Sequence, residues 1–191
     1  MNDHPTGAGK SSFDLIDFGK LSTRLNLQPN LTLLDLGCGR GNYTLAISRY
    51  IGEKGRIYAV DLWREGIADL QSRITSERIT WIHPYVADVS KKIPIDDHSV
   101  DICLMATVFH DLFQDQNHEG AVKEIKRVLK SDGTLAIVEF KKIDGPPGPP
   151  IDVRLSHDEL RDVLIPRGFQ MTVTTEVGPY NYLSLFAIHR E

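Results

Sequence analysis

Apolar positions along the chain follow two spacings in alternation. Leu31 to Leu36 (LTLLDL) is a short, nearly continuous apolar run that ends in glycines, the pattern of a strand buried on both faces. After it, Tyr43, Ala46, Ile47, Tyr50 and Ile51 recur at three- and four-residue intervals, one face of a helix that Gly52 can close. Arg56 to Val60 reads as a second strand with Asp61 as its exit residue, and Ile67, Leu70 and Ile74 mark the next helix. Ile79 to Val86 carries a third strand ending at Ala87-Asp88, and Asp101 to Ala106 a fourth. Val122, Ile125 and Leu129 stripe a helix that Ser131-Asp132-Gly133 terminates, and Thr134 to Phe140 is the fifth strand.

Beyond residue 140 the pattern changes. Gly145-Pro146-Pro147-Gly148-Pro149-Pro150 lacks four backbone donors and has φ fixed at each proline, which predicts a stiff, extended connector. Ser156 with Glu159 matches a capping box and opens a helix with Leu160, Val163 and Leu164 inward and Pro166 at its end. Two strand-like runs, Phe169 to Val177 and Tyr182 to His189, are joined by Gly178-Pro179-Tyr180-Asn181. That joint is too short for a crossover helix, so the two runs pair antiparallel. The whole predicts an α/β fold: a seven-stranded, mostly parallel sheet with one reversed strand in a C-terminal antiparallel hairpin, and helices on both faces.

Length and composition narrow this further. The 191 residues suffice for one core and leave no room for a separate substrate domain, so the chain divides into an N-terminal segment, residues 1–30, and a domain, residues 31–191. Hydrophobic residues at 41 % and charged residues at 25 % exclude a disordered or collagen-like chain. The balance of 22 basic and 26 acidic side chains is −4, and no basic run exceeds two residues, so nucleic acid is not the expected partner. No apolar run approaches a bilayer span and the first residues show no apolar signal segment, so neither membrane insertion nor secretion is expected. Cys38 and Cys103 form no disulfide or zinc framework, which fits the cytoplasm. His4, His83, His98, His118, His157 and His189 show no ligand spacing, so no metal site is expected.

Candidate chemistry concentrates after the first strand. In Asp35-Leu36-Gly37-Cys38-Gly39-Arg40-Gly41-Asn42 a strand ends in a carboxylate, passes through Gly-x-Gly-x-Gly and opens a helix, whose free N–H donors can meet polar groups of a ligand. Asp61 closes the next strand 20 residues after Gly41, a place from which a carboxylate can bind a ribose diol. Gly7-Ala8-Gly9-Lys10-Ser11-Ser12 imitates the end of a phosphate-binding loop. The glycine such a loop requires is replaced by His4 and no strand precedes it, so a flexible tail is expected.

These residues resemble those of the class I S-adenosylmethionine-dependent methyltransferases, and among them the small-molecule branch around the ubiquinone/menaquinone biosynthesis methyltransferases. The likeness spans residues 30–190 and implies a Rossmann-like fold with S-adenosylmethionine as cofactor. It implies that Asp35, Gly37 and Gly39, with Cys38 and Gly41 in the same loop, surround the methionine part. Asp61 would accept from the ribose hydroxyls, Leu62 and Trp63 would flank the adenine, and Asp88, between Ala87 and Val89, would accept from the adenine amino group. Ala106 and Thr107 would lie near the sulfonium, and residues 1–30, with Phe13, Leu15, Ile16 and Phe18, would form a lid by analogy.

Methyl transfer is an in-line displacement, so positioning can supply most of the catalysis. His110, in Phe109-His110-Asp111-Leu112 at the carboxyl edge of the sheet, is the available general base for a hydroxyl, thiol or acidic carbon; the alternative is a histidine with no chemistry. Enzymes that methylate amide or nucleobase nitrogens commonly carry an Asn/Asp-Pro-Pro-aromatic tetrad where this chain has Ala106-Thr107-Val108-Phe109, which favours O, C or S acceptors over N. Tyr180, Asn181 and Tyr182 in the hairpin turn either fold over the pocket or cap the sheet edge. Two other functions remain. A nicotinamide-dependent oxidoreductase shares the glycine turn and the acid, but the glycine spacing, the terminal hairpin and the lack of a second domain disfavour it. A non-catalytic cofactor-binding module or partner-dependent subunit is left open, as are the oligomeric state and the identity of the small-molecule substrate.

Overall fold

The computed structural model describes residues 7–189. One sheet holds β1 (Thr32–Leu36), β2 (Arg56–Asp61), β3 (Ile82–Val86), β4 (Val100–Ala106), β5 (Leu129–Phe140), β6 (Phe169–Glu176) and β7 (Asn181–Ile188), in the order β3-β2-β1-β4-β5-β7-β6. The first five are parallel, and β7 alone is reversed, antiparallel to both β5 and β6. The helices are α1 (Phe18–Arg24), α2 (Asn42–Ile51), α3 (Arg64–Ser76), α4 (Phe109–Gln114), α5 (His118–Val128) and α6 (His157–Leu164). No helix among the described residues is long and apolar enough to cross a membrane.

The two-residue period of the strands divides the core in two. Leu34, Leu36, Cys103, Met105, Leu135 and Ile137 point to one side, where they pack with Phe109 of α4, Val122 and Ile125 of α5, and Leu160 and Leu164 of α6. Leu33, Ile57, Ala59, Ile102, Leu104, Ala136 and Val138 point to the other, against Leu21 of α1, Tyr43, Ile47 and Ile51 of α2, and Ile67, Leu70 and Ile74 of α3. Buried on both sides, the central strands have no polar face, which is why their sequences are runs rather than alternations. Strand order reverses between β1 and β4, and the crevice at their carboxyl ends is where such sheets bind ligands.

Several boundaries differ from expectation. The third strand begins at Ile82 rather than Ile79, because α3 closes through Arg78 at φ 55° and the chain needs residues 79–81 to return to the sheet. Ser131-Asp132-Gly133 does not end a helix; α5 stops at Val128 and β5 starts at Leu129. Val100 pairs with Leu129 and Ile102 with Thr134, so residues 130–133 bulge out opposite Asp101, whose carboxylate accepts from Lys130 Nζ at 2.6 Å and Thr32 N at 2.8 Å. α1 and α4 are too short to show a periodicity.

The Gly145–Pro150 stretch is not an extended connector. Arg154, buried, folds it into a cage by donating to the carbonyls of Pro149 (2.8 Å), Lys141 (3.0 Å), Ile143 (2.7 Å), Gly145 (2.7 Å) and Pro147 (3.0 Å). Prolines leave carbonyls with no competing local donors, and all five guanidinium N–H groups find one. Asn181 and Tyr182 are likewise not turn residues: both are buried in β7, and the Tyr182 hydroxyl donates to Leu155 O at 2.6 Å. The capping box is as expected, Ser156 Oγ accepting from Glu159 N and Glu159 accepting from Ser156 N.

Candidate functional site

The turn between β1 and α2 is built from left-handed glycines. Gly37, Gly39 and Gly41 have φ of 74°, 55° and 78°, a region costly for any residue with a Cβ. Gly37 N and Cys38 N both donate to Val60 O, at 2.8 and 3.2 Å, tying the loop to β2. A Cβ on Gly37 would lie 2.5 Å from Val108 and one on Gly41 2.5 Å from Leu70, whereas one on Gly39 would meet nothing within 4 Å. Gly39 therefore presents bare backbone to open space, the arrangement that lets a ligand approach closely. The Cys38 side chain is buried and packs inward, away from that space, and its thiol is pushed up, burial being the main cause.

Asp61, at the end of β2, joins the two turns: Oδ2 accepts from Gly39 N and Oδ1 from Trp63 N, each at 2.7 Å. Each oxygen keeps a second lone pair, enough for a diol. Asp35 is buried beneath the loop; Oδ2 accepts from Thr44 Oγ1 at 2.6 Å, and burial, reinforced by Asp61, raises its pKa to about 7 against the pull of Thr44. Trp63 is buried between the loop and the N-terminal segment, with the Arg40 guanidinium 5.0 Å from its ring, while Leu62 is 53 % exposed. Of these two side chains, Leu62 is the one that presents open apolar surface.

At the β3 exit, Ala87 N donates to Asp61 O at 3.0 Å, which brings this turn beside the β2 exit. Asp88 is engaged within its own turn: Oδ1 accepts from Ser90 N (2.9 Å) and Ser90 Oγ (2.6 Å), and Oδ2 pairs with Lys91. Burial works to raise its carboxyl, but these bonds outweigh it and hold it below the usual range. Val89 turns into the core. At the β4 exit, Ala106 is half-buried and Thr107 has φ 57°, a rare conformation for a β-branched residue; its N donates to Val138 O (2.8 Å) and its hydroxyl to Ala106 O (2.8 Å).

His110 is buried at the start of α4. Its Nδ1 is 2.7 Å from Glu139 Oε2, its backbone N donates to Glu139 Oε1 at 3.1 Å, and its Nε2 lies 3.6 Å from Asp111 Oδ1. A carboxylate on Nδ1 fixes the tautomer with the lone pair on Nε2. Burial works to lower the pKa of His110, yet the Glu139 carboxylate overcomes it and the net direction is upward. Glu139 escaped the sequence reading, although an acid in the apolar run Thr134 to Phe140, at the carboxyl end of a buried strand, is the signal that could have revealed it.

The N-terminal segment is not a free tail. Ser12 is buried, its hydroxyl 2.9 Å from Tyr43 Oη and 3.1 Å from Thr107 Oγ1. A Cβ on Gly9 would lie 3.6 Å from the Trp63 ring and one on Gly7 3.0 Å from Asp111 Oδ2. Residues 7–12 thus run past all four of these side chains at the mouth; residues 1–6 lie outside the described residues. No group of three or more potential metal-binding side chains occurs among the described residues.

Comparison with known proteins identifies a family and relatives of this chain. The family described as "methyltransferase domain" matches residues 34–137. A solved S-adenosylmethionine-dependent methyltransferase from Aquifex aeolicus is 30 % identical with a TM-score of 0.84, over 96 % of this chain and 95 % of that one. A ubiquinone/menaquinone biosynthesis C-methyltransferase from Hydrogenovibrio crunogenus is 29 % identical over 63 % of this chain and 46 % of its own length. A 2-phytyl-1,4-naphtoquinone methyltransferase from Trichormus variabilis is 29 % identical over 60 % of this chain and 49 % of its own. The chain spans about half the length of these curated relatives.

Proposed function

The chain belongs to the family of S-adenosylmethionine-dependent methyltransferase domains, and from that footing we propose that it transfers a methyl group to a small-molecule acceptor at oxygen, carbon or sulfur. The observation that carries this is the open, left-handed Gly39 backbone bridged to the Asp61 carboxylate at the point where strand order reverses. The residues fit the cofactor: Asp61 suits a ribose diol, Leu62 and Ala87 a flat base, and Asp35 a cationic group above the loop. Thr107, Ala106 and residues 7–12 stand where the reacting end would be enclosed, and residues 7–12 act as a lid that excludes water.

When bound, S-adenosylmethionine supplies an electrophilic methyl group. The chain's part is to hold the acceptor in line and take up its proton. His110 Nε2 accepts that proton, and Glu139 positions the ring and stabilises the imidazolium. The net charge of −4 supports a small molecule rather than a nucleic acid as acceptor, and the two free, buried cysteines support a reducing, cytoplasmic setting.

Calorimetric titration with S-adenosylhomocysteine, in parallel with NADH, tests the reading. Wild type is expected to bind the first and not the second, and Asp61→Asn to lose about 10- to 100-fold in affinity, the worth of charge-assisted hydrogen bonds to the diol. His110→Ala is expected to leave that affinity unchanged while lowering turnover of an acceptor about 10²- to 10⁴-fold. Absence of S-adenosylhomocysteine binding to wild type overturns the reading; NADH binding in its place puts hydride transfer first.

A further inference from the structure

Three hydroxyl groups from three separate segments meet at the mouth: Tyr43 in the first turn of α2, Thr107 just after β4, and Ser12 in the N-terminal segment. Ser12 Oγ lies 2.9 Å from Tyr43 Oη and 3.1 Å from Thr107 Oγ1, and both Ser12 and Tyr43 are buried. A hydroxyl has one proton to give and two lone pairs to accept with, so the ends of such a chain fix its direction. The Ala106 carbonyl can only accept, and Thr107 gives it its proton at 2.8 Å. Ser12 therefore donates to Thr107, and Tyr43 donates to Ser12. Burial pushes the Tyr43 phenol above its ordinary range, so it stays a donor at neutral and mildly alkaline pH.

The relay runs one way, from Tyr43 through Ser12 and Thr107 to the Ala106 carbonyl, and every proton in it is used within it. Each hydroxyl oxygen keeps at least one lone pair and has no proton left to offer. A wall that only accepts attracts a cation or a donor and repels a group with lone pairs of its own. The relay also adjoins the glycine loop. Val108, next to Thr107, fills the space beside Gly37, and Tyr43 is the second residue of the helix that Gly41 opens. The cofactor changes in the property such a wall reads: S-adenosylmethionine is a sulfonium cation, and S-adenosylhomocysteine is a neutral thioether.

We propose that this one-way relay biases the site toward the cationic cofactor and against the neutral product, and that Ser12 is the residue that sets its direction. This rests on the methyl-transfer reading with the reacting end of the cofactor beside Thr107. Ser12 Oγ is the hydrogen-bond partner of the Tyr43 hydroxyl among the described residues. Without it, the phenol turns its proton toward the site, where it opposes a cation and suits a thioether. Ser12 also belongs to the segment that covers the mouth, so the oxygen that completes the relay arrives only when residues 7–12 are in place. Cover and charge preference are then one device, firm over the substrate form and loosened over the product.

Calorimetric titration with S-adenosylmethionine, S-adenosylhomocysteine and sinefungin, which carries an ammonium group in place of the sulfonium, reads this bias as a ratio of affinities. Ser12→Ala is expected to shift the ratio of either cation to S-adenosylhomocysteine about five- to tenfold toward the neutral ligand, the difference between a charged and a neutral hydrogen-bond partner. Tyr43→Phe alone leaves Ser12 donating to Thr107, so it alters the ratio less than about twofold. Added to Ser12→Ala, Tyr43→Phe removes the misdirected proton and restores most of the lost bias. A Ser12 that only closed the mouth would weaken all three ligands alike and leave the ratio where it was. An unchanged ratio in Ser12→Ala, or no recovery in the double variant, overturns the proposal while the ligands still bind. Absence of binding of all three to wild type overturns the methyl-transfer reading, and the role of the relay with it.

Discussion

Asp35 sits on the α2 side of β1, one strand position from Leu34 and Leu36 that face the opposite core, so the sheet's own alternation carries a carboxyl group into an apolar layer. The Thr44 hydroxyl at 2.6 Å lessens the burial cost without cancelling it, and the group ionises near pH 7 instead of 3.8. Between those two values the folded chain holds a proton that the unfolded chain has lost, so stability falls as pH rises through this window and levels off above it. Asp35→Asn cannot ionise and escapes that fall. Urea unfolding at about pH 4 and about pH 8 is expected to show the variant gaining on wild type by up to about 4 kcal/mol, at roughly 1.4 kcal/mol per unit. An equal pH profile for the two proteins would refute the buried-carboxyl account. Asp61 and the glycines were legible from spacing alone; Glu139 was not, because its role depends on His110, 29 residues away in sequence and 2.7 Å away in space.

The turns after β1 and β4 are fitted to each other. Gly37 is hydrogen in place of a side chain because Val108 occupies the space, 2.5 Å from where a Cβ would be, and because φ of 74° disfavours any other residue. Gly37→Ala is expected to cost about 1–2 kcal/mol for the backbone and about 1–3 kcal/mol more for the collision. Val108→Ala in the same chain removes the collision alone. A double-mutant cycle by urea unfolding should therefore return a favourable coupling of at least about 1 kcal/mol; strict additivity would mean that the two turns do not press on one another. Longer elements with a clear period, α2, α3, α5 and the central strands, were readable, whereas α1 and α4, of seven and six residues, depend on tertiary packing for their existence. The bulge at residues 130–133 was read as a helix end because its residue types suit any turn.

Across the whole molecule, the segment leaving β5 is closed by one residue. Arg154 gathers five carbonyls over the Phe140 ring, which in turn lies beside His110. Arg154→Leu strands those carbonyls and is expected to cost about 3–5 kcal/mol, in line with loss of one member of a buried polar set. For a chain of this size the thermal midpoint should fall by roughly 10 °C, with Arg154→Lys intermediate because an ammonium has only three donors. A change of under about 2 °C in Arg154→Leu would show that the loop keeps its form without the guanidinium.

By itself the sequence determined the α/β class, the parallel core with its reversed strand, the glycine loop and the acid at the end of the second strand, because each follows from local spacing: a period of two or of three to four, a turn that only glycine can make, a carboxylate at a strand end. Tertiary structure alone decided what depends on distant partners. It set the Glu139 carboxylate on His110, laid residues 7–12 against Thr107 and Tyr43, drew the proline-rich segment around Arg154 and left the His118 ring nitrogen without a protein partner among the described residues. Hydrogen-bond satisfaction in a buried site is settled by which groups the fold brings within about 3 Å, and no pattern along one strand of sequence encodes that distance.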